Sequence, residues 1–180
     1  MRLRLLALPL VFAAVPAVAA LSPGAMAPDF TTRGAIDGKV FRLTLSQQLK
    51  KGPVVLYFFP AAYTGGCNQE AHDFSEAVPQ FQAAGATVIG MSTDTVDRLA
   101  KFSQEKCAGK FAVASAGPTI IKDYDVVLDR QIPDPFTKQL RTVTNRTSYV
   151  IGRNGKITFV HSNLNAEGHV EATLAAVKAL

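Results

Sequence analysis

The stretch "VVLYFFPAAYTGGCNQEAHDF", from Val54 to Phe74, decides the fold. It begins with a continuous apolar run rich in β-branched and aromatic residues, which predicts a strand covered on both faces. A turn of small and polar residues follows, and a helix is predicted to start near Gly66 or Cys67 and to end at Gly85. Pro79 is expected to kink this helix or to end its first part.

Strands and helices alternate along the rest of the chain. After an extended lead-in to Asp37, the pattern predicts strands in "GKVFRLTL", "TVIGMSTD" and "FAVASA", a helix or turn in Ser46 to Lys51 and in "TIIKDYDVV", a helix in "TVDRLAKFSQEKC" with Cys107 in its last turn, a hairpin in "TSYVIGRNGKITFVHSN", and a closing helix in "AEGHVEATLAAVKAL". This order predicts one α/β domain with a central mixed sheet flanked by helices.

The first 20 residues, "MRLRLLALPLVFAAVPAVAA", differ from the rest of the chain. They combine two early arginines, an apolar segment and the cleavage pattern Ala17-Val18-Ala19, which indicates a signal peptide over 1–20 and a mature domain over 21–180. An uncleaved anchor is the alternative, but the apolar segment is shorter than the roughly 20 residues that span a bilayer. We therefore expect export, to the periplasm of a bacterium, and no membrane attachment after cleavage.

Charge and cysteine content narrow the function. Arg2 and Arg4 account for two of the 19 Lys and Arg, so the mature net charge is near +3 instead of +5. The basic residues are dispersed, which argues against nucleic acid as a partner. The two cysteines, Cys67 and Cys107, are compatible with a structural disulfide in an exported protein, and this reading stays open from cysteine count alone.

Cys67 stands where the predicted strand passes into the predicted helix. A helix N-terminus presents unpaired N–H groups and partial positive charge. A thiol has a pKa near 8.5, and such a site with a nearby cation can lower this value to about 6. Thr64, three residues before, carries a hydroxyl that both donates and accepts hydrogen bonds. The position therefore favours a reactive thiolate.

Pro60, Thr64 and Cys67 in "PAAYTGGC" match the P-x-x-x-[TS]-x-x-C signature, so the chain resembles the peroxiredoxins. Glu70 stands where that family commonly has Glu or Gln. In "NRTSYVIGRNGKI", Arg146 matches the family's catalytic arginine. The resemblance extends over roughly residues 25 to 175, is nearest to the Q-type (bacterioferritin co-migratory) subgroup, and implies a thioredoxin-like fold.

The resemblance implies a mechanism. The Cys67 thiolate would attack a hydroperoxide and become a sulfenic acid, while Thr64, Arg146 and the backbone N–H of Cys67 hold the peroxide oxygens and Pro60 shields the site from water. Cys107 would then form an intramolecular disulfide with Cys67, reduced by a thioredoxin-like dithiol. Neither a metal nor another cofactor is implied, and Q-type relatives are often monomers.

Departures from the family pattern leave alternatives open. His72 stands where Q-type members often have their resolving cysteine, so Cys107 in the following helix takes that role only by resemblance, and a one-cysteine peroxidase remains an alternative. Gly65 replaces a common Pro, Gly152 a common Asp, and Ala116 the Asp of the usual "SD". The three histidines lack metal-ligand spacing and are expected at the surface or in helix packing.

Two other functions are alternatives to a peroxidase. A thiol-disulfide oxidoreductase of the same general fold needs C-x-x-C, but Thr64 stands at the position of its first cysteine. A non-enzymatic binding or scaffold protein that kept the fold is the third class. A purely structural disulfide would leave the match of Pro60, Thr64 and Arg146 to coincidence. Because Cys67 faces a threonine instead of a second cysteine, the sequence favours a peroxide as its reaction partner.

Overall fold

A computed structural model describes residues 20–180, so the predicted signal peptide and its cleavage site lie outside the described residues. In the described part the strands are β1 (Thr31–Ile36), β2 (Lys39–Thr44), β3 (Val54–Phe58), β4 (Thr87–Ser92), β5 (Ala112–Ser115), β6 (Ile132–Pro133), β7 (Leu140–Arg141), β8 (Thr147–Ile151) and β9 (Ile157–Ser162). The helices there are α1 (Leu45–Leu49), α2 (Gly65–Ala83), α3 (Val96–Glu105), α4 (Pro118–Asp123) and α5 (His169–Lys178). Among these helices none is long and apolar enough to cross a membrane.

Seven strands form one mixed sheet in the order β2-β1-β5-β4-β3-β8-β9. β4 pairs in parallel with β3 and with β5, and the other neighbours pair antiparallel. Helices α2, α3 and α5 pack on one face of the sheet, and α1 and α4 pack on the other. The predicted α/β fold with a central mixed sheet is confirmed, and β3 is buried along its whole length, as its apolar run requires.

Three local features differ from the prediction. α2 continues through Pro79, which lies on the exposed side of the helix, so this proline does not end the first part of the helix. α3 ends at Glu105, so Cys107 lies just beyond the helix, although its N–H still reaches the carbonyl of Phe102 at 3.3 Å. Part of the expected lead-in is the strand β1, in which Gly34 crosses β5 so closely that a Cβ there would lie 3.1 Å from the Cβ of Ala114.

The strand register brings two distant segments together. β3 and β8 pair so that Phe58 lies opposite Thr147, which makes the residues after β3 neighbours of the residues before β8. The hydroxyl of Thr144 donates to the carbonyl of Phe59 at 2.8 Å and closes this junction. The loop that leads into α2 and the segment before β8 therefore meet at one edge of the sheet.

Candidate active site

The loop from Phe59 to Thr64 joins β3 to α2. Pro60 is half-buried at its start, and the hydroxyl of Thr64 donates to the carbonyl of Ala61 at 2.9 Å. Thr64 is the N-cap residue of α2, but its side chain accepts no capping hydrogen bond. The Thr64 hydroxyl oxygen therefore keeps its lone pairs for another donor.

Cys67 lies in the first turn of α2 and is only 2% exposed. The N–H groups of this turn have no partner within the helix, and they carry the positive end of the helix dipole. Cys67 is a free thiol. Its sulfur thus sits where negative charge is favoured and bulk water is largely excluded.

Arg146 precedes β8 and is also buried. Its Nη2 donates to Cys67 Sγ at 3.5 Å, its Nη1 donates to a carboxylate oxygen of Glu70, and its Nε donates to the carbonyl of Leu164 at 2.9 Å. Three acceptors therefore fix the orientation of the Arg146 guanidinium, and one of them is the sulfur of Cys67.

Glu70 is a site residue that the sequence reasoning noted only as a match to the family pattern. It is fully buried, and burial raises its pKa from 4.5 to about 7, although the neighbouring Arg146 guanidinium opposes the rise. Within residues 20–180 its second carboxylate oxygen has no hydrogen-bond partner. Its position three residues after Cys67, on the same helix face, is the signal that could have pointed to it.

Asp94 is a buried acidic residue that contacts the loop between β3 and α2. Its carboxylate accepts the N–H of Ala62 at 2.7 Å and pairs with Arg98 and Arg141, both at 2.8 Å. Arg98 also pairs with Asp134, which caps the turn between β6 and β7. The site loop is thereby tied to α3 and to the small β6–β7 hairpin.

Cys107 is fully buried and belongs to the same apolar cluster as Cys67. Burial raises the pKa of the Cys107 thiol far above its usual range, so this thiol is neutral near neutral pH. In the described part of the chain both cysteines are free, which leaves the alternative of a structural disulfide without support. The structure brings Arg146 and Cys67 into contact, with Thr64 at the N-cap of the same helix and Pro60 in the loop before it, and it leaves Cys107 unbonded to Cys67.

The chain is similar in sequence and in structure to proteins of one known family. Residues 23–160 match the model of the AhpC/TSA family. The chloroplast peroxiredoxin Q of Suaeda salsa is 33% identical over 164 residues, covering 91% of this chain and 71% of the relative. The crystal structure of peroxidoxin BcpB from Mycobacterium tuberculosis superposes with a TM-score of 0.72 at 31% identity, over 88% of this chain and 97% of that one. Peroxiredoxin Q from Xanthomonas campestris gives a TM-score of 0.67 at 26% identity, over 82% and 89%.

Proposed function

The chain belongs to the AhpC/TSA family and is a peroxiredoxin, a thiol-dependent peroxidase, and from this premise we propose that Cys67 is the residue on which it reduces hydroperoxides. The observation that carries the proposal is the guanidinium of Arg146 at 3.5 Å from a free thiol in the first turn of α2. A cation and a helix N-terminus together stabilise a thiolate, which is the nucleophilic form of cysteine.

In the proposed reaction, the Cys67 thiolate sulfur bonds to one peroxide oxygen while the O–O bond breaks. The sulfur is oxidised to a sulfenic acid, and the other oxygen leaves as an alkoxide or hydroxide that takes up a proton to become alcohol or water. Arg146, the hydroxyl of Thr64 and the backbone N–H of Cys67 stabilise the charge that develops on the leaving oxygen. Pro60, half-buried at the start of the loop, limits the access of water.

We further propose that Cys107 resolves the sulfenic acid. Its thiol sulfur bonds to Cys67 as water is released, and a thioredoxin-like dithiol reduces the disulfide by exchange and is itself oxidised. The burial of both thiols supports a step in which the first turn of α2 and the end of α3 open before the sulfurs meet. A one-cysteine mechanism is the alternative.

A peroxide consumption assay with a dithiol reductant tests both proposals. We expect turnover by the wild type and none by Cys67→Ser, because serine supplies no thiolate. In Cys107→Ser we expect the first peroxide equivalent to be consumed and thioredoxin-driven turnover to be lost. A wild type that consumes no peroxide would rule out the peroxidase role of Cys67, and full turnover in Cys107→Ser would rule out the resolving role.

We also propose that the protein is exported to a bacterial periplasm, with its signal peptide 1–20 removed, and that it acts as a monomer. The two arginines, the apolar segment and the cleavage pattern support export. N-terminal sequencing of protein from the periplasmic fraction is expected to start at residue 21, and light scattering is expected to give the mass of one mature chain. Retention of Met1, or a dimer mass, would contradict the respective proposal.

A further inference from the structure

His169, the first residue of α5, lies fully buried beside the active site. Its Nε2 lies 3.0 Å from the carbonyl of Asn163, and its Nδ1 lies 2.8 Å from the hydroxyl of Ser148. A carbonyl only accepts, so Nε2 carries the proton, and Nδ1 accepts from Ser148. Burial lowers the pKa of His169 to about 4, which makes this neutral tautomer the form present near neutral pH.

The imidazole of His169 contacts the loop that also binds Arg146. The N–H of Asn163 donates to the carbonyl of Arg146 at 3.1 Å, and the carbonyl of Leu164 accepts from Arg146 Nε at 2.9 Å. This short loop after β9, called the 163–164 loop, therefore forms hydrogen bonds with both the main chain and the guanidinium of Arg146. His169 fixes the same loop through the carbonyl of Asn163.

His169 also borders Glu70. Its Nδ1 lies 3.8 Å from Glu70 Oε1, beyond hydrogen-bond distance, and the Nδ1 lone pair is already used by Ser148. The ring thus offers Glu70 no proton. Within residues 20–180, Arg146 is then the hydrogen-bond partner that remains for the Glu70 carboxylate, which turns one oxygen to the guanidinium.

We propose that His169 is a positioning residue of the peroxidase reaction: its neutral ring fixes the 163–164 loop and leaves the Glu70 carboxylate to Arg146, so that the guanidinium of Arg146 stays against Cys67. This inference rests on the proposed function and adds to it a residue that does not touch the substrate. The charged or titratable groups that face the ring are Glu70 from α2, Arg146 before β8 and His161 from β9.

His161 provides a matched control. Its ring packs edge-on against His169, with centroids 4.5 Å apart, from the half-buried strand β9. The described hydrogen bonds include none from His161 to Arg146, Glu70 or the 163–164 loop. Substitution of His161 therefore disturbs the packing of the same histidine pair without removing a support of the guanidinium.

The test compares two reactions of reduced Cys67, followed by mass spectrometry. Reaction with hydrogen peroxide needs an oriented Arg146, whereas alkylation by iodoacetamide needs only the thiolate. In His169→Asn and Ser148→Ala we expect the rate with peroxide to fall on the order of 10- to 100-fold more than the rate of alkylation, because a small misplacement of a positioning group costs that much. In His161→Asn the ratio of the two rates should stay at the wild-type value.

A merely structural role would lower stability without moving this ratio. An unchanged ratio in folded His169→Asn and Ser148→Ala would overturn the proposal, and so would an equal change in His161→Asn. If His169→Asn does not fold, Ser148→Ala decides, since it keeps the ring and removes one hydroxyl. A wild type that is alkylated but does not react with peroxide would instead contradict the proposed function.

Discussion

Glu70 and His169 are two buried titratable residues with opposite pH behaviour. Burial raises the pKa of Glu70 to about 7 and lowers the pKa of His169 to about 4. Between their ordinary and their shifted pKa values, native Glu70 holds a proton that the unfolded chain has released, and native His169 lacks a proton that the unfolded chain binds. Stability therefore falls with rising pH through Glu70 and rises with pH through His169, so the two effects oppose each other in the acidic range.

Glu70→Gln separates these contributions. The raised pKa of Glu70 destabilises the native state progressively from about pH 4.5 to about pH 7, by up to about 3 kcal/mol, and glutamine does not titrate. We expect the unfolding free energy of the wild type, relative to Glu70→Gln, to fall by this amount over that window. Urea unfolding of both proteins across the range measures the difference, from which His169 cancels because both proteins contain it.

Glu76→Gln is the control for that experiment. Glu76 is exposed, and its hydrogen bond to Lys110 lowers its pKa, so any pH effect of this substitution has the opposite sign. Parallel stability curves for the wild type and Glu70→Gln would show that Glu70 is ionised in the native state throughout, contrary to its burial without a second partner.

Sequence reasoning found the reactive residues but not their supports. Cys67, Thr64 and Arg146 were found because their spacing resembles a family signature. The partnership of Glu70 with Arg146 joins residues 76 positions apart, and that of His169 with Ser148 depends on how α5 meets β8. Such contacts depend on tertiary packing. Ser148 and His169 belong to no local sequence pattern, so their contact could not be predicted from the sequence.

At the level of elements, the start of α2 shows the structural setting of Gly65, which stands where the family commonly has Pro. Gly65 is the exposed first residue of the helix, and a Cβ added there would meet no atom within 4 Å. Thr64 before it is extended, with φ −93° and ψ 152°. This backbone conformation is the one that a proline at position 65 would favour for the residue before it. Proline at the first helical position lacks only an N–H that has no partner in the helix.

We therefore expect Gly65→Pro to stabilise the protein by about 0.4–1 kcal/mol, because it restricts the unfolded chain while fitting the native backbone. Thermal unfolding and peroxide consumption of the variant measure stability and activity, and activity should remain. Gly66→Ala is the contrasting variant: its Cβ would lie 3.3 Å from Arg146 Nη2, so we expect it to slow the reaction with peroxide. Destabilisation by Gly65→Pro would contradict the helical geometry assigned to this turn.

The elements that the sequence predicted are those with strong local patterns. β3, β4 and the β8–β9 hairpin have apolar runs bounded by turn residues, and α2 has a glycine, Gly85, at its end with φ +75°. β6 and β7 have two residues each, too few for a periodic pattern, and their hairpin is held by the ion pairs of Asp134. β1 contains Gly34; it pairs with β2 across the short turn at Asp37 and Gly38, and its other neighbour, β5, is distant in sequence.

On the scale of the whole molecule, the two cysteines share one apolar core but are held by different elements. Cys67 is fixed by α2, and Cys107 follows α3. Directly after Cys107, Ala108 and Gly109 both have positive φ, and this conformation is unfavourable for alanine. The segment that carries Cys107 therefore ends in a turn with stored strain, whereas the apolar contacts of the buried thiol hold it in place.

Oxidation should shift the balance between the strain of the turn after Cys107 and the apolar contacts that hold its thiol in place. A disulfide between Cys67 and Cys107 closes a loop of about 41 residues, and in the chain-entropy account such a crosslink is worth about 4 kcal/mol against the unfolded chain, enough to offset the loss of local packing. We expect one equivalent of peroxide to raise amide hydrogen exchange in residues 68–71, whose N–H groups bond to the carbonyls of Thr64 and the first turn of α2, and in residues 103–111, because these bonds must open for the sulfurs to meet. Cys107→Ser, treated in the same way, should keep the exchange pattern of the reduced protein in residues 103–111, because it forms a sulfenic acid without the crosslink. A confirmed disulfide with protection unchanged in both segments would mean that the sulfurs meet without local unfolding, and the burial of the two thiols would then impose no barrier to resolution.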